Sequence, residues 1–212
     1  MKILTLEKDT RDEVVREASQ VLSRGGIVLY PTDTIYGLGC DALSDTAVKK
    51  IYLLKGRLEE KNISCVVSDR AHIEKLGVIT RNIEILAKHF LPGALTLVLQ
   101  KHDHITSGIA HGRDTVGVRI PDHPFSLSLA RTFGKPITAT SANISGMPTE
   151  NTVEKILAQF GEKAEFIDFV IDAGTLPSSL PSTVVDCTVS PPRILREGAL
   201  SSQDIFAVLH KK

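Results

Sequence analysis

Apolar residues at helical spacing alternate with short apolar runs through the first two thirds of the chain, and short runs dominate the last third. Apolar residues three and four positions apart share one face of a helix, whereas short apolar runs between turn residues are typical of buried strands. The helical spacing predicts helices over residues 14–22, 44–54, 83–90, 125–133, 153–160 and 204–209. The apolar runs predict strands over residues 27–30, 63–67, 94–99, 116–120, 137–140, 169–172, 183–186 and 193–195.

The residues at the ends of these segments agree with the pattern. Thr10 followed by Glu13 has the spacing of a capping box, and Thr80 can cap a later helix. Gly25-Gly26 and Pro92-Gly93 would end the helices before them. Because strands and helices alternate early and strands prevail later, we predict an α/β fold, a twisted mixed sheet flanked by helices and not a strictly parallel one. No linker divides the chain, so a single domain over residues 1–212 is expected.

Composition and charge narrow the class of protein. Lys+Arg and Asp+Glu both number 25, so no global basic field draws the chain to nucleic acid or membrane, although a local basic groove remains open. Cys40, Cys65 and Cys187 lie far apart without a CxxC pair, which argues against a disulfide framework or a zinc site. No signal peptide or membrane-length apolar run is present, so a cytoplasmic protein without membrane contact is predicted.

Common nucleotide and hydrolase motifs are missing. The sequence has neither a P-loop nor a GxSxG elbow, and Gly37-Leu-Gly39 lacks the third glycine of a dinucleotide fingerprint. His102 and His104 form an HxH pair without further nearby ligands, so no metal site is predicted there.

Two polar segments at the ends of predicted elements are candidate ligand-binding sites. Residues 30–39, YPTDTIYGLG, place hydroxyls, a carboxylate and glycines at a strand's end, where open α/β sheets bind ligands. The alternative is a capped connection to the next helix, with Asp33 or Thr34 bonding the backbone. Lys55 and Arg57 end the second predicted helix, and their charges suit phosphates; alternatively they only complement the helix dipole.

Further polar residues lie on or beside later strands. Residues 138–143, TATSAN, are small enough to admit a ligand close to the backbone, or they form a simple turn before the next helix. Arg119 stands in an otherwise apolar strand and projects away from its apolar face, so it needs an anion if it is buried. That anion is either a ligand or a protein carboxylate, for which the candidates are Asp33, Asp114 and Asp122. The set favours a ligase-like or nucleotidyl-transfer site, in which positioning and charge neutralisation do most of the catalysis.

Seven blocks resemble the YrdC/Sua5 family in their order along residues 11–200. They are YPTDTIYGLGCDA, KGR, LPGALTLVL, VGVRIPDHP, PITATSANISG, PSTVVDCT and PRILREG. The resemblance implies a large, concave, positively charged cavity and formation of threonylcarbamoyl-AMP and pyrophosphate from L-threonine, bicarbonate or carbon dioxide, and ATP with Mg²⁺. The product would pass to the threonylcarbamoyl transferase machinery that makes N6-threonylcarbamoyladenosine at position 37 of tRNA, and tRNA or double-stranded RNA is a further expected partner.

The resemblance also implies roles for individual residues, with Lys55 and Arg57 as the catalytic pair. The threonine site would consist of Thr34, Arg119, Ala139 and Ser182. The ATP site would consist of Lys55, Arg57, Lys61, Thr115, Ser141, Asn143, Thr149 and Arg196.

Two departures from the family pattern leave alternatives open. Leu58 and Asn62-Ile63 stand where much of the family has prolines that stiffen the loop. From the length of the sequence we also expect the short, single-domain form, without the extra C-terminal domain of the longer Sua5 branch. One alternative is an RNA-binding, YciO-like relative with little or no synthase activity. The other, a hydrogenase-maturation relative, would carry acylphosphatase and zinc-finger-like parts that this sequence lacks.

Overall fold

The computed structural model describes residues 1–7, 10–59 and 61–210. Its strands are β1 (Lys2–Thr5), β2 (Val28–Tyr30), β3 (Gly37–Gly39), β4 (Ser64–Val66), β5 (Leu95–Gln100), β6 (Thr115–Arg119), β7 (Ile137–Ser141), β8 (Phe169–Asp172), β9 (Thr183–Asp186) and β10 (Arg193–Arg196). Its helices are α1 (Arg11–Ser23), α2 (Asp45–Lys55), α3 (Arg70–Leu76), α4 (Arg81–Phe90), α5 (Pro124–Phe133), α6 (Val153–Phe160) and α7 (Ser202–Leu209). Short 3-10 turns cover Gly108–Ala110 and Gly161–Phe166.

All ten strands form one mixed sheet in the order β1-β8-β2-β3-β7-β4-β6-β5-β9-β10. Strand β8 pairs in parallel with β1 and β2, and parallel pairs also join β4 to β6 and β5 to β9. The remaining neighbours are antiparallel. The predicted mixed sheet flanked by helices is therefore confirmed.

Side chains alternate between two environments along β5, β6 and β9. Apolar residues such as Leu97, Val118 and Val185 are fully buried in the larger hydrophobic core, together with residues of α2, α3, α4, α6 and α7. Successive residues of a strand point to opposite faces, so the intervening residues turn toward a cavity on the other side. A smaller core lies between α1, α5 and the β2 and β8 region, including Tyr30 and Phe169.

The structure corrects the sequence analysis mainly in short elements. Strands β1 and β3 and helix α3 were not predicted; α3 is a short helix capped by Asp69, whose side chain accepts from the His72 amide. The predicted capping box is wrong, because Thr10 makes no side-chain cap hydrogen bond to the first turn of α1. The other predicted elements are present, with ends within about two residues of those expected, and α1 begins at Arg11, directly after the residue predicted to cap it. In the described ranges, no helix is both long and apolar enough to cross a membrane.

Candidate functional site

A cavity of about 430 Å³ lies on the face of the sheet opposite the larger hydrophobic core. Its walls come from the β2–β3 loop, from strands β4, β5, β6, β7, β9 and β10, and from the loop after α2. The residues that bear polar side chains there are Tyr30, Thr32, Thr34, Arg57, Asn62, Ser64, Thr96, Thr115, Arg119, Thr140, Ser141, Ser182, Asp186, Arg193 and Arg196.

The segment YPTDTIYGLG forms a β-hairpin, in which β2 pairs antiparallel with β3, rather than a connection from a strand to a helix. Gly39 leaves room for neighbouring side chains, because a Cβ there would lie 2.8 Å from side-chain atoms of Tyr30 and Ile137. In the loop, the Thr32 hydroxyl accepts from the amides of Thr34 and Ile35 at 3.2 Å. This turn fixes the Thr34 side chain at the cavity wall.

Arg119 is the best-anchored cation of the cavity. Its Nη2 donates to Asp33 Oδ1 at 2.6 Å, Nη1 to Thr34 Oγ1 at 3.0 Å, and Nε to the Gly93 carbonyl at 3.0 Å. The two charged side chains are only 8% and 15% exposed. Of the three candidate carboxylates, Asp33 is therefore the one that pairs with Arg119. A guanidinium has five N–H groups, so two remain for a ligand.

Directly before β9, Ser182 links two polar groups of the cavity wall. Its hydroxyl lies 2.8 Å from Thr96 Oγ1, and its carbonyl accepts from Arg196 Nε at 3.2 Å and Nη2 at 2.8 Å. Arg196 reaches the cavity because a register shift interrupts the pairing of β10 with β9 between Ile194 and Arg196. Partial desolvation, together with the positive charges of Arg119 and Arg57, lowers the pKa of Arg196.

Arg57 enters the cavity from the end of α2. Gly56 adopts a left-handed conformation with φ of 57° and ends the helix, as the Arg57 amide donates back to the Tyr52 carbonyl at 2.9 Å. Arg57 Nη2 donates to the Asn62 carbonyl at 2.9 Å. Tyr52 binds the Lys61 carbonyl through its hydroxyl at 2.8 Å. These contacts hold the loop in which the family prolines are absent.

Lys55 lies behind the cavity wall rather than on it. The side chain is buried, and its ammonium donates to the Ser141 carbonyl, to the Asn143 carbonyl at 2.8 Å and to Asn143 Oδ1 at 3.1 Å. Burial and the neighbouring charge of Arg57 lower the pKa of Lys55 to about 7. In this position Lys55 fixes the loop after β7, and the Ser141 side chain faces the cavity.

The structure brings most of the expected site residues together. Those on the cavity wall are Thr34, Arg57, Thr115, Arg119, Ala139, Ser141, Ser182 and Arg196. Lys55 and Asn143 are buried in the layer behind it, while Lys61 and Thr149 are exposed outside the lining. Their proposed ligand contacts remain predictions.

Sequence reasoning missed several wall residues, among them Thr32, Thr96, Asp186 and Arg193. The alternation of side chains along strands could have found two of them. Asp186 shares one face of β9 with Ser182 and Val184. Thr96 shares one face of β5 with Val98.

The charges on the cavity wall are unevenly compensated. Arg119 pairs with Asp33, and Arg193 pairs with Asp186 at 3.1 Å. Within residues 1–7, 10–59 and 61–210, no carboxylate pairs with Arg57 or Arg196. The excess positive charge therefore lies at these two arginines, which makes this part of the cavity suited to a polyanion.

The family model for Sua5, YciO and YrdC proteins, described as "Telomere recombination", matches residues 20–198. The threonylcarbamoyl-AMP synthase of Bacillus subtilis (strain 168) is 36% identical over 208 residues, which are 97% of this chain and 59% of the relative. That of Pyrococcus abyssi is 37% identical over 98% of this chain and 60% of the relative. This chain thus spans about three fifths of these two relatives. A putative threonylcarbamoyl-AMP synthase of Methanocaldococcus jannaschii is 35% identical over 97% of this chain and 95% of the relative.

Solved structures agree with this likeness. Pyrococcus abyssi Sua5 complexed with L-threonine superposes with a TM-score of 0.89 at 36% identity, covering 99% of this chain and 61% of that one. Escherichia coli YciO superposes with a TM-score of 0.82 at 25% identity, covering 94% of this chain and 96% of that one.

Proposed function

This chain belongs to the Sua5/YciO/YrdC family, and we propose that it is a threonylcarbamoyl-AMP synthase. The proposed reaction converts L-threonine, bicarbonate and ATP into threonylcarbamoyl-AMP, pyrophosphate and water. In this scheme the threonine amine and carbonyl source give a carbamate, whose oxygen attacks the α-phosphorus of ATP as pyrophosphate leaves.

The uneven charge compensation in one cavity carries this proposal. An amino acid has one carboxylate and small polar groups, which suit the two spare N–H groups of Arg119 and the hydroxyls of Thr34 and Ser182. A triphosphate carries several negative charges and suits Arg57 and Arg196, whose carboxylate-free surroundings leave their charge uncompensated. The Pyrococcus abyssi relative was solved with L-threonine, which supports an amino-acid substrate.

Catalysis at such a site would rest on positioning and charge neutralisation. Arg57 and Arg196 would stabilise the negative charge that develops on the phosphates in the transition state. Lys55 would act indirectly, because its ammonium holds the Ser141–Asn143 backbone in place. Arg119 would hold the threonine carboxylate so that the amine faces the nucleotide.

Magnesium would enter with ATP. The described residues include no group of three or more His, Cys, Asp or Glu able to hold a metal ion. Mg²⁺ in nucleotide sites is commonly held by one or two carboxylates together with phosphates and water. The ion would therefore depend mainly on the nucleotide for its ligands, and it would neutralise phosphate charge during transfer.

The proposal is tested by incubating the chain with L-threonine, bicarbonate and MgATP and analysing the products by mass spectrometry. Threonylcarbamoyl-AMP should form together with one pyrophosphate per adenylate, and omission of threonine or bicarbonate should stop both. Arg57→Ala should lose most of this activity, whereas Arg131→Ala, on the outer surface of α5, should keep it. Absence of the adenylate with folded protein would contradict the proposal.

A second candidate is the RNA-binding relative expected from the sequence. It draws support from the superposition on Escherichia coli YciO, which matches this chain over nearly the whole length of both. RNA binding without adenylate formation would favour this candidate. If the synthase proposal holds, the product would supply the transferase machinery that modifies tRNA, and direct contact with tRNA remains a prediction. Cytoplasmic location also remains a prediction.

A further inference from the structure

Strand β9 carries a carboxylate into the cavity at the end away from Arg119. The residues on its cavity face are Ser182, Val184 and Asp186. Ser182 contacts Arg196, and Asp186 lies four residues further along the chain on the same face. Across β5 the register pairs Val98 with both Asp186 and Gly117, so these three residues lie side by side in adjacent strands. Arg119 ends β6 two residues beyond Gly117, which separates it from Asp186 along the cavity floor.

Asp186 is held in one orientation by its own neighbours. Oδ1 accepts from the Thr188 amide at 3.0 Å and from the Thr188 hydroxyl at 2.6 Å. Oδ2 accepts from Arg193 Nη2 at 3.1 Å. A carboxylate has about four acceptor positions, so one position on Oδ2 remains. Only 10% of the side chain is exposed, and Asp186 is one of the residues that line the cavity.

The carboxylate stays ionised in this setting. Partial burial alone would raise its pKa, but the hydrogen bonds from Thr188 and the charge of Arg193 hold the pKa of Asp186 below its ordinary value. An ionised acceptor with one open position favours a neutral O–H or N–H donor and repels phosphate. The phosphates of a nucleotide are therefore directed away from Asp186, toward Arg57 and Arg196.

The floor next to Asp186 suits the remainder of a nucleotide. Val98, Val184 and Ile109 give apolar surface, and Gly117 adds no side chain to it. A Cβ at Gly117 would lie 3.1 Å from the Ser64 Cβ and would narrow the cavity there. Apolar surface beside one fixed acceptor suits a sugar or a purine ring with a polar edge.

We propose that Asp186 recognises the nucleoside part of the nucleotide by accepting a hydrogen bond from a neutral donor, either a ribose hydroxyl or the 6-amino group of adenine. This inference rests on the proposed function, because it takes ATP as the ligand. It adds a specificity residue that touches the substrate at the end of the cavity opposite the threonine site.

The test measures equilibrium binding of four nucleotides by calorimetry in the full chain. The probes are ATP, 2′-deoxyATP, 3′-deoxyATP and a purine riboside triphosphate that lacks the 6-amino group. The wild-type chain should bind at least one of the three analogues about tenfold more weakly than ATP, since a hydrogen bond to a charged group is lost. The deoxy analogues report a ribose contact, and the last analogue reports a base contact.

Asp186→Asn preserves the shape of the side chain and an acceptor for Thr188 while removing the charge. This variant should bind ATP more weakly, and its ratio of ATP affinity to analogue affinity should be at least fivefold smaller than the wild-type ratio. Asp172→Asn, outside the cavity lining, should keep the wild-type ratio. Melting curves of both variants exclude a folding defect as the cause. Equal binding of all four nucleotides by the wild type, or unchanged discrimination in Asp186→Asn, overturns the inference. Failure of the wild type to bind ATP at all would instead overturn the proposed function.

Discussion

Arg119 and Arg57 line the same cavity, but among the described residues only Arg119 of these two is paired with a carboxylate. Arg119 is buried, and three of its donors already contact Asp33, Thr34 and the Gly93 carbonyl. Arg57 is half-buried, its Nη2 binds the Asn62 carbonyl, and its Nε has no partner among the described residues. Arg119 is therefore part of the framework as well as of the cavity wall, whereas Arg57 keeps a donor without a partner among the described residues.

This difference separates two contributions that arginines make to a binding site. A buried ion pair contributes geometry but little net charge, and removal of one partner leaves the other charge desolvated. An arginine without a carboxylate partner adds positive potential to the cavity, but its burial has a desolvation cost, which lowers the pKa of both Arg57 and Arg196. The comparison predicts that changes at Arg119 act on stability and threonine binding, whereas changes at Arg57 act on nucleotide binding.

The largest expected effect is on stability. Arg119→Ala should lower the free energy of unfolding by about 3–5 kcal/mol, because Asp33 loses its partner in a nearly buried position. Chemical denaturation of the ligand-free protein measures this. The double variant Asp33→Asn/Arg119→Ala should recover part of the loss, since no charge is then stranded. A ligand-free stability equal to wild type would show that Arg119 is not part of the framework.

The next effect concerns the nucleotide. Arg57→Ala should weaken ATP binding by about 1.5–3 kcal/mol, the value expected for a hydrogen bond to a charged group. Its melting temperature should stay close to that of the wild type, because no described carboxylate depends on Arg57. Calorimetry of ATP binding provides the measurement, with Arg131→Ala as the matched surface control. Wild-type ATP affinity in Arg57→Ala would remove Arg57 from the phosphate site.

The threonine site should distinguish amino acids by the size of their side chains, and its preference for threonine over serine should be modest. Serine lacks one methyl group, which is worth about 1–3 kcal/mol in a pocket, so it should be a poor but detectable substrate. Bulky amino acids should fail. Pyrophosphate release with each amino acid at equal concentration provides the comparison. Equal turnover of threonine and a bulky amino acid would exclude a threonine-sized pocket.

A smaller, pH-dependent effect is expected from Lys55. Its folded pKa of about 7 lies below its ordinary value of 10.5, so the unfolded chain binds more protons than the folded chain between these values. Stability therefore rises with pH in this window, and this contribution is lost as pH falls through 7. From pH 7 to pH 8 the gain should be about 1 kcal/mol relative to Lys55→Met. Parallel pH profiles of the two proteins would mean that Lys55 does not titrate there.

Most of the sheet and the orientation of Arg119 toward the cavity could be predicted from the sequence. Val116, Val118 and Ile120 define one apolar face of β6 and its flank, so the opposite orientation of Arg119 follows from strand geometry. Strand β3 could not be predicted because Gly37 and Gly39 have low strand propensity, and pairing with β2 and β7 overrides it.

The positions of Lys55 and Asp33 relative to the cavity depend on contacts between distant segments. A lysine at the last turn of a helix is ordinarily solvated, and its burial here requires the Ser141–Asn143 loop to close over it. Asp33 was one of three candidate partners for Arg119, and only the folded β2–β3 hairpin distinguishes it from Asp114 and Asp122. Asp186 was detectable by alternation along β9, but its fixed orientation depends on Arg193 of the neighbouring strand.

The most direct test of the division within the cavity is to titrate threonine and ATP separately into two variants, Arg57→Ala and Arg119→Lys. Arg119→Lys keeps the positive charge beside Asp33 but loses the forked geometry that binds two acceptors at once. Arg57→Ala should lose ATP affinity and keep threonine affinity, and Arg119→Lys should lose threonine affinity and keep ATP affinity. Equal losses of both ligands in both folded variants would contradict the account, because they would show one undivided charged cavity.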